Sequence, residues 1–182
     1  VCQSPEGWFD DYGGAGPGYQ TVTIDCLAKL HLESDFAFLA EPLRQATSFA
    51  RAFLHLDESY GGEYGSRGTR HFYPHGFELA AEADPAAADL ADGYLRALAA
   101  GTDARFNDDR MYVHPIASLF DAYLDWTPSR RATSSDDGKV TEMRHFPKAG
   151  LLVCRDEATE AIVSTARGGA FHWRRRVGER IV

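Results

Sequence analysis

The sequence is poor in the residues that would mark a disulfide scaffold or a metal protein. Its 182 residues include only Cys2, Cys26 and Cys154, too widely spaced for a CxxC pair, which argues against a disulfide framework or a zinc knuckle. Cys26 and Cys154 sit inside apolar runs and are expected to be buried thiols. His31, His55, His114, His145 and His172 are scattered, with no HExxH or HxH spacing, so no dedicated metal site and no required cofactor is predicted. There is no Gly-x-Ser-x-Gly, no phosphate-cradling glycine loop and no Cys/His nucleophile pattern. No apolar run approaches the ~20 residues that span a bilayer, so membrane insertion is not expected. The opening VCQSPEGWFDDYGG lacks a basic stretch followed by an apolar one, so no signal peptide is read there. Positive charge is also scarce. Lys and Arg number 19 against 27 Asp and Glu, a net charge of −8, which argues against a nucleic-acid partner. A polyanionic sugar stays open, because an acidic shell can surround a cationic cleft.

What is present suits an ordinary globular chain with helices first and strands last. The spacing predicts helices over Tyr19–Glu33 (stripe Val22, Ile24, Leu27, Leu30, Leu32), Glu41–Leu56 (Leu43, Ala46, Phe49, Ala50, Phe53) and Phe77–Glu82. Two more are predicted over Pro85–Gly101 (Leu90, Tyr94, Leu95, Leu98) and Asp109–Trp126 (Ile116, Leu119, Phe120, Tyr123, Leu124). The polar stretch 127–139 reads as a linker between a helical part, 1–126, and a strand-rich part, 140–182. There, Gly150–Arg155, Glu160–Arg167 and Ala170–Arg174 read as strands joined by turns at Asp156–Thr159 and Gly168-Gly169. That order implies an α+β class.

Two loops carry chemistry. Residues 7–20, GWFDDYGGAGPGYQ, combine Trp8, Phe9 and Tyr12 with two carboxylates and five glycines, a composition suited to aromatic platforms and close backbone approach. A tightly packed interhelical loop explains it equally well. Residues 60–78, YGGEYGSRGTRHFYPHGFE, form a connection longer than the two to eight residues usual between helices. It gathers Tyr60, Tyr64 and Tyr73, Arg67 and Arg70, His71 and His75, and Glu63 and Glu78. Arginine forks carboxylates and sulfates, histidine titrates near neutrality, and tyrosine can shuttle a proton. The plainer reading is packing tyrosines and surface pairs such as Arg70 or Arg67 with Glu63 or Glu78. The coincidence of all these groups in one segment favours a site for an acidic polysaccharide or oligosaccharide.

The pieces GWFDDYGGAGPGYQTVTIDCLAKL, GGEYGSRGTRHFYPHGFE and HFPKAGLLVCRDEATEAIVSTARGGAF, in this order, resemble the heparinase II/III-like proteins, polysaccharide lyases with an α/α toroid followed by a β-sandwich. The resemblance covers most of the chain. It implies the last helical hairpins of a toroid and the first strands of an antiparallel sandwich, a fragment of the whole. It also implies β-elimination on a uronic-acid polysaccharide. Tyr73 would then act as acid or combined acid and base, with His71 or His75 as base or carboxylate partner. Arg67 and Arg70 would anchor the acidic sugar, while Tyr60, Tyr64, Glu63, Trp8, Tyr12 and Tyr19 line subsites. The Asn-His pair of several such lyases is not visible, and Gln20 is the candidate substitute. A sandwich of this type is compatible with a structural cation, and a periplasmic or secreted parent is in keeping with glycan degradation. The competing readings are an α/α-barrel glycoside hydrolase pairing Asp10 or Asp11 with Glu63, and a relative that binds carbohydrate without turnover.

Overall fold

The computed structural model describes residues 3–103, 109–130 and 141–182. Among them are five α-helices, α1 Pro17–Glu33, α2 Ala40–Arg51, α3 His75–Ala80, α4 Pro85–Ala100 and α5 Asp109–Leu124. They precede an antiparallel meander in which β1 Glu142–Phe146, β2 Leu151–Arg155, β3 Thr159–Ser164, β4 Ala170–Val177 and β5 Arg180–Ile181 lie in chain order. The class is α+β.

The chain makes its boundaries by local chemistry. Pro17 opens α1, where a missing N–H costs nothing. Asp84 caps α4 by accepting from the Ala86 N–H at 2.9 Å, and Gly101, left-handed at φ 72°, closes it. Helix α2 stops at Arg51 instead of reaching Leu56. Phe53, Leu54 and His55 are buried in succession, which one face of a helix cannot achieve, and Leu54 bridges to Tyr60 instead. The turn after β2 is held by Asp156, whose Oδ1 accepts from the N–H groups of Ala158 and Thr159. The terminal strands β1 and β5 were not legible, since EMRHF and RI carry no apolar alternation and in β1 only Phe146 is buried.

One core joins helices and sheet. Phe146 from β1 packs edge-on against Phe49 at 4.9 Å and lies 5.9 Å from Phe53. Leu151, Val153 and Ile162 complete the inner face of the sheet in the same buried cluster as Phe49, Phe53, Tyr64 and Phe72. Truncating a wholly buried phenylalanine such as Phe49 or Phe53 costs about 3–5 kcal/mol. The seam is also polar. Arg155 reaches the carbonyls of Ala52 and Leu54 and the wholly buried Glu160, which Arg174 also contacts at 3.2 Å. Burial pushes the Glu160 carboxyl up, and the two guanidiniums pull it back.

Several expected apolar faces turn out otherwise. In α1 only Ile24 of the predicted stripe is buried, while Leu30 and Leu32 are exposed; Gln20, Thr21, Asp25 and Ala28 face inward instead. In α5, Pro115, Ser118 and Ala122 are buried and Ile116, Phe120, Tyr123 and Leu124 are exposed. Leu95 of α4 is exposed as well. Cys26 is exposed on α1 and Cys154 lies half-buried on the outer face of the sheet, so neither is a sealed thiol. Cys2 and residues 131–139 of the predicted linker fall outside the described residues. Among the described residues, no helix is long and apolar enough to cross a membrane, and no cluster of His, Cys, Asp and Glu is arranged to hold a metal ion.

Candidate functional site

The two loops singled out by composition lie against each other beside the start of α1. Ser66 donates its backbone N–H to the Ala15 carbonyl at 2.8 Å, and the Tyr60 hydroxyl donates to the Pro17 carbonyl at 3.2 Å. The approach is close enough to require glycine: a Cβ on Gly18 would lie 2.5 Å from the Thr69 hydroxyl, and one on Gly65 2.8 Å from the Pro17 ring. The glycines thus let two backbones stack, which is the close-approach use of the residue.

On this joint stands an aromatic and cationic surface. The Arg67 guanidinium lies 4.4 Å from the Tyr12 ring centre and 4.9 Å from that of Tyr19. Tyr19 in turn meets His71 edge to face at 5.3 Å. Tyr12 is 72% exposed and left-handed at φ 55°, a conformation that non-glycine residues rarely adopt outside special sites. Among the described residues no carboxylate lies within ion-pair distance of Arg67. Arg70 differs: its guanidinium is 2.7 Å from Glu63, whose other oxygen is 3.3 Å from His172 Nε2 on β4. Burial works against ionising Glu63, but its own backbone N–H, Arg70 and His172 together hold its carboxyl below the usual range.

The three tyrosines of the second loop have different fates. Tyr60 is buried with its hydroxyl on the Pro17 carbonyl, and burial drives its pKa far up. Tyr64 is buried too, stacked on Phe53 at 5.5 Å, with its hydroxyl 2.8 Å from His55 Nε2. The tautomer of His55 follows from the chain of bonds. The Ser59 hydroxyl gives its proton to Asp57 at 2.5 Å, so it accepts from His55 Nδ1–H at 2.8 Å, leaving Nε2 to accept from Tyr64. Burial first, then Arg174 and Arg155, holds His55 well below the ordinary histidine range, in keeping with this neutral ring. Neither Tyr60 nor Tyr64 lines a subsite. Tyr73 has a buried ring and anchors its backbone N–H on the Thr21 hydroxyl at 3.1 Å, yet its own hydroxyl has no protein hydrogen-bond partner among the described residues. Burial, with Tyr19, Asp25 and Cys26 nearby, raises its pKa, so it holds its proton at neutral pH.

The other predicted site residues are structural. Gln20 is 2% exposed and pins the first loop, its Oε1 accepting from the Phe9 N–H and its Nε2 donating to the Gly7 carbonyl, both at 3.0 Å. Its amide is therefore used up and does not face a sugar. Trp8 donates its indole N–H to Glu6 at 2.9 Å and packs on the core. His75 is buried on the α5 side, its Nε2 donating to Asp125 at 2.7 Å and its backbone N–H to the Ser118 hydroxyl. Glu78 is paired with Arg130. Glu63, the second carboxylate of the hydrolase pairing, lies against Arg70 and His172.

Sequence reasoning missed His172, His55 and the Asp25 web. The buried Asp25 accepts from the Gly76 N–H, the Ser118 hydroxyl and Lys29. Only strand alternation places His172 on the inner face, in line with Ala170 and Arg174, and nothing local marks Asp25. Compared with protein-family models, with curated proteins and with solved structures, the chain finds no match in any of the three.

Proposed function

We propose that this surface binds an acidic sugar and belongs to a polysaccharide lyase-like protein of the heparinase II/III type, cleaving a uronic-acid-containing polysaccharide by β-elimination. The observation that carries the reading is Arg67, a guanidinium laid over two tyrosine rings with no carboxylate paired to it among the described residues. Such a group offers its fork to a carboxylate or sulfate while the rings offer a platform to a sugar face.

The elimination needs a cation on the uronate carboxylate, a base for the C5 proton and an acid for the departing glycosidic oxygen. The C5–H bond breaks, its electron pair forms the C4–C5 double bond, and the C4–O bond breaks to an oxygen that takes a proton. Arg67 serves as the cation. Tyr73, with its proton retained and its hydroxyl unengaged by the described protein groups, is suited to the acid. His71, edge-on to Tyr19, takes the part of the base in this reading, and His75 is bound to Asp125. Arg70 and Glu63 support the loop and do not touch the sugar.

The finer architecture, a toroid and a sandwich, is part of the same proposal. Met143, Leu152, Cys154, Ala161, Val163, Phe171 and Trp173 share the outer face of the sheet with His145, Thr159 and Arg175. An antiparallel sheet with one face open to water normally alternates polar residues there, so this mainly apolar outer face is in keeping with a second sheet. The exposed Phe120, Tyr123 and Leu124 of α5 are in keeping with further helical hairpins.

The test is the growth of the unsaturated-uronate absorbance when the protein meets alginate, heparin, heparan or chondroitin. The expected result is product with one of these and its loss in Tyr73→Phe with binding retained. Binding without product on any of them would leave the non-catalytic relative, and neither binding nor product would end the reading.

A further inference from the structure

The loop that carries Arg67 is held from the sheet. His172, on β4 opposite Ile162, points back across the seam to Glu63 at 3.3 Å and meets the Tyr64 ring edge to face at 5.3 Å. Gly62, next to Glu63, is at φ 152°, and a Cβ there would come within 3.2 Å of Tyr64 and 3.8 Å of His172. Two residues further along β4, Arg174 approaches Asp57 at 3.7 Å, the end of the hydrogen-bonded chain that runs through Ser59 and His55 to Tyr64. Strand β4 thus braces both ends of the segment leading into 63–70. Inside that segment the Glu63 carboxylate spans two groups, His172 on one oxygen and Arg70 on the other. Gly68, left-handed at φ 64°, folds the turn back toward Glu63, whose Cα would lie 3.6 Å from a Cβ placed there.

We infer that His172 is a positioning residue of the carbohydrate site: it fixes Glu63, Glu63 fixes Arg70, and the closed 63–70 turn presents Arg67 to the ligand. The inference rests on the proposed sugar-binding role of Arg67, but the brace itself is a separate claim with its own readout. The groups facing His172 are Glu63 and Arg70 from the loop, Tyr64 beneath it and Arg174 on its own strand. Burial, with Arg174 and Arg70, outweighs Glu63 and lowers its pKa, so the 3.3 Å approach of Nε2 to the Glu63 carboxylate is the polar contact of a neutral ring and not a charged pair.

The experiment compares His172→Leu, which keeps bulk and loses the polar contact with Glu63, with His172→Gln, which keeps a polar group there. Hydrogen exchange of the 63–70 amides is followed without ligand, and binding of heparin and alginate oligosaccharides is titrated alongside Arg67→Ala. The expected result is faster exchange in 63–70 and affinity lower by up to about fivefold in the Leu variant, the upper end for one exposed polar contact. The Gln variant should restore both. Unchanged exchange in His172→Leu, or equal loss in Leu and Gln, overturns the brace. Faster exchange with no binding by any form, wild type included, upholds the brace and overturns the sugar-binding reading instead.

Discussion

Either side of Pro74, the segment from Tyr60 to Glu78 uses the same residue types in opposite ways. Before it, Tyr60, Tyr64 and Arg70 are fastened, but Arg67 lies on Tyr12 and Tyr19 and the Tyr73 hydroxyl has no protein hydrogen-bond partner among the described residues. After it, His75 is tied to Asp125 and to Ser118, which donates in turn to the buried Asp25, and Glu78 is paired with Arg130. Composition cannot distinguish the two, because histidine, tyrosine and acid are equally apt to catalyse or to fasten. The partners do distinguish them: a group held by the protein belongs to the frame, as His75 is through Nε2 and its backbone N–H although its buried Nδ1 has no hydrogen-bond partner.

That contrast can be broken by substitution. The largest effect is expected from Tyr73→Phe, which should lower turnover by about 10²–10⁴-fold, the range of a general acid, while leaving oligosaccharide affinity and melting temperature close to wild type. A steady-state assay with a parallel binding titration checks it. Asp25→Ala should act in the opposite manner, costing about 3 kcal/mol of stability by stranding the Gly76 N–H and the Ser118 hydroxyl and leaving Lys29 with Asp121 alone. Denaturant unfolding reads that loss. Gln20→Ala should cost about 1–3 kcal/mol in the same measurement, since the Phe9 N–H and Gly7 carbonyl lose their partners in a buried place.

A smaller effect comes from pH. His55 and His172 both have pKa values lowered in the folded state, chiefly by burial. Below the ordinary histidine value of about 6.5 the unfolded chain binds more protons than the folded one, so stability falls as pH drops through that window and is flat above it. A melting series from pH 8 to pH 5, roughly the span around that value, should show this decline, and it should shrink in His55→Gln if that variant folds. The buried Tyr–His–Ser–Asp chain is the structural half of the loop, so this titration probes the frame and not the sugar surface.

The sequence showed the class and most of the elements, because α2, α4 and β2–β4 carry strong periodicity, clear caps and Asx or glycine turns. It misled at α1 and α5. There, polar and small residues (Gln20, Thr21, Asp25, Ser118) are buried because they satisfy loop and helix-end backbone groups, while apolar residues such as Leu32 and Phe120 are exposed. Apolar periodicity does not register hydrogen bonds that make a polar face the inner one. In the site, the coincidence of Tyr, Arg and His in 60–78 pointed to the surface, and the structure sets both loops against each other there. Which arginine is engaged, and which tyrosine hydroxyl is unengaged, depends on Glu63, His172 and His55, partners brought in by tertiary structure from as far as β4.

The two loop arginines give the most direct test of the account. Arg67 and Arg70 share one turn, the first over a pair of tyrosines and the second on Glu63. Titrating an acidic oligosaccharide into Arg67→Ala and Arg70→Ala should show affinity lower by about tenfold or more in the first, the scale of a charge-assisted fork, and only a small loss in the second. Equal losses in both, or a larger loss in Arg70→Ala, would contradict the assignment of Arg67 as the group that meets the sugar.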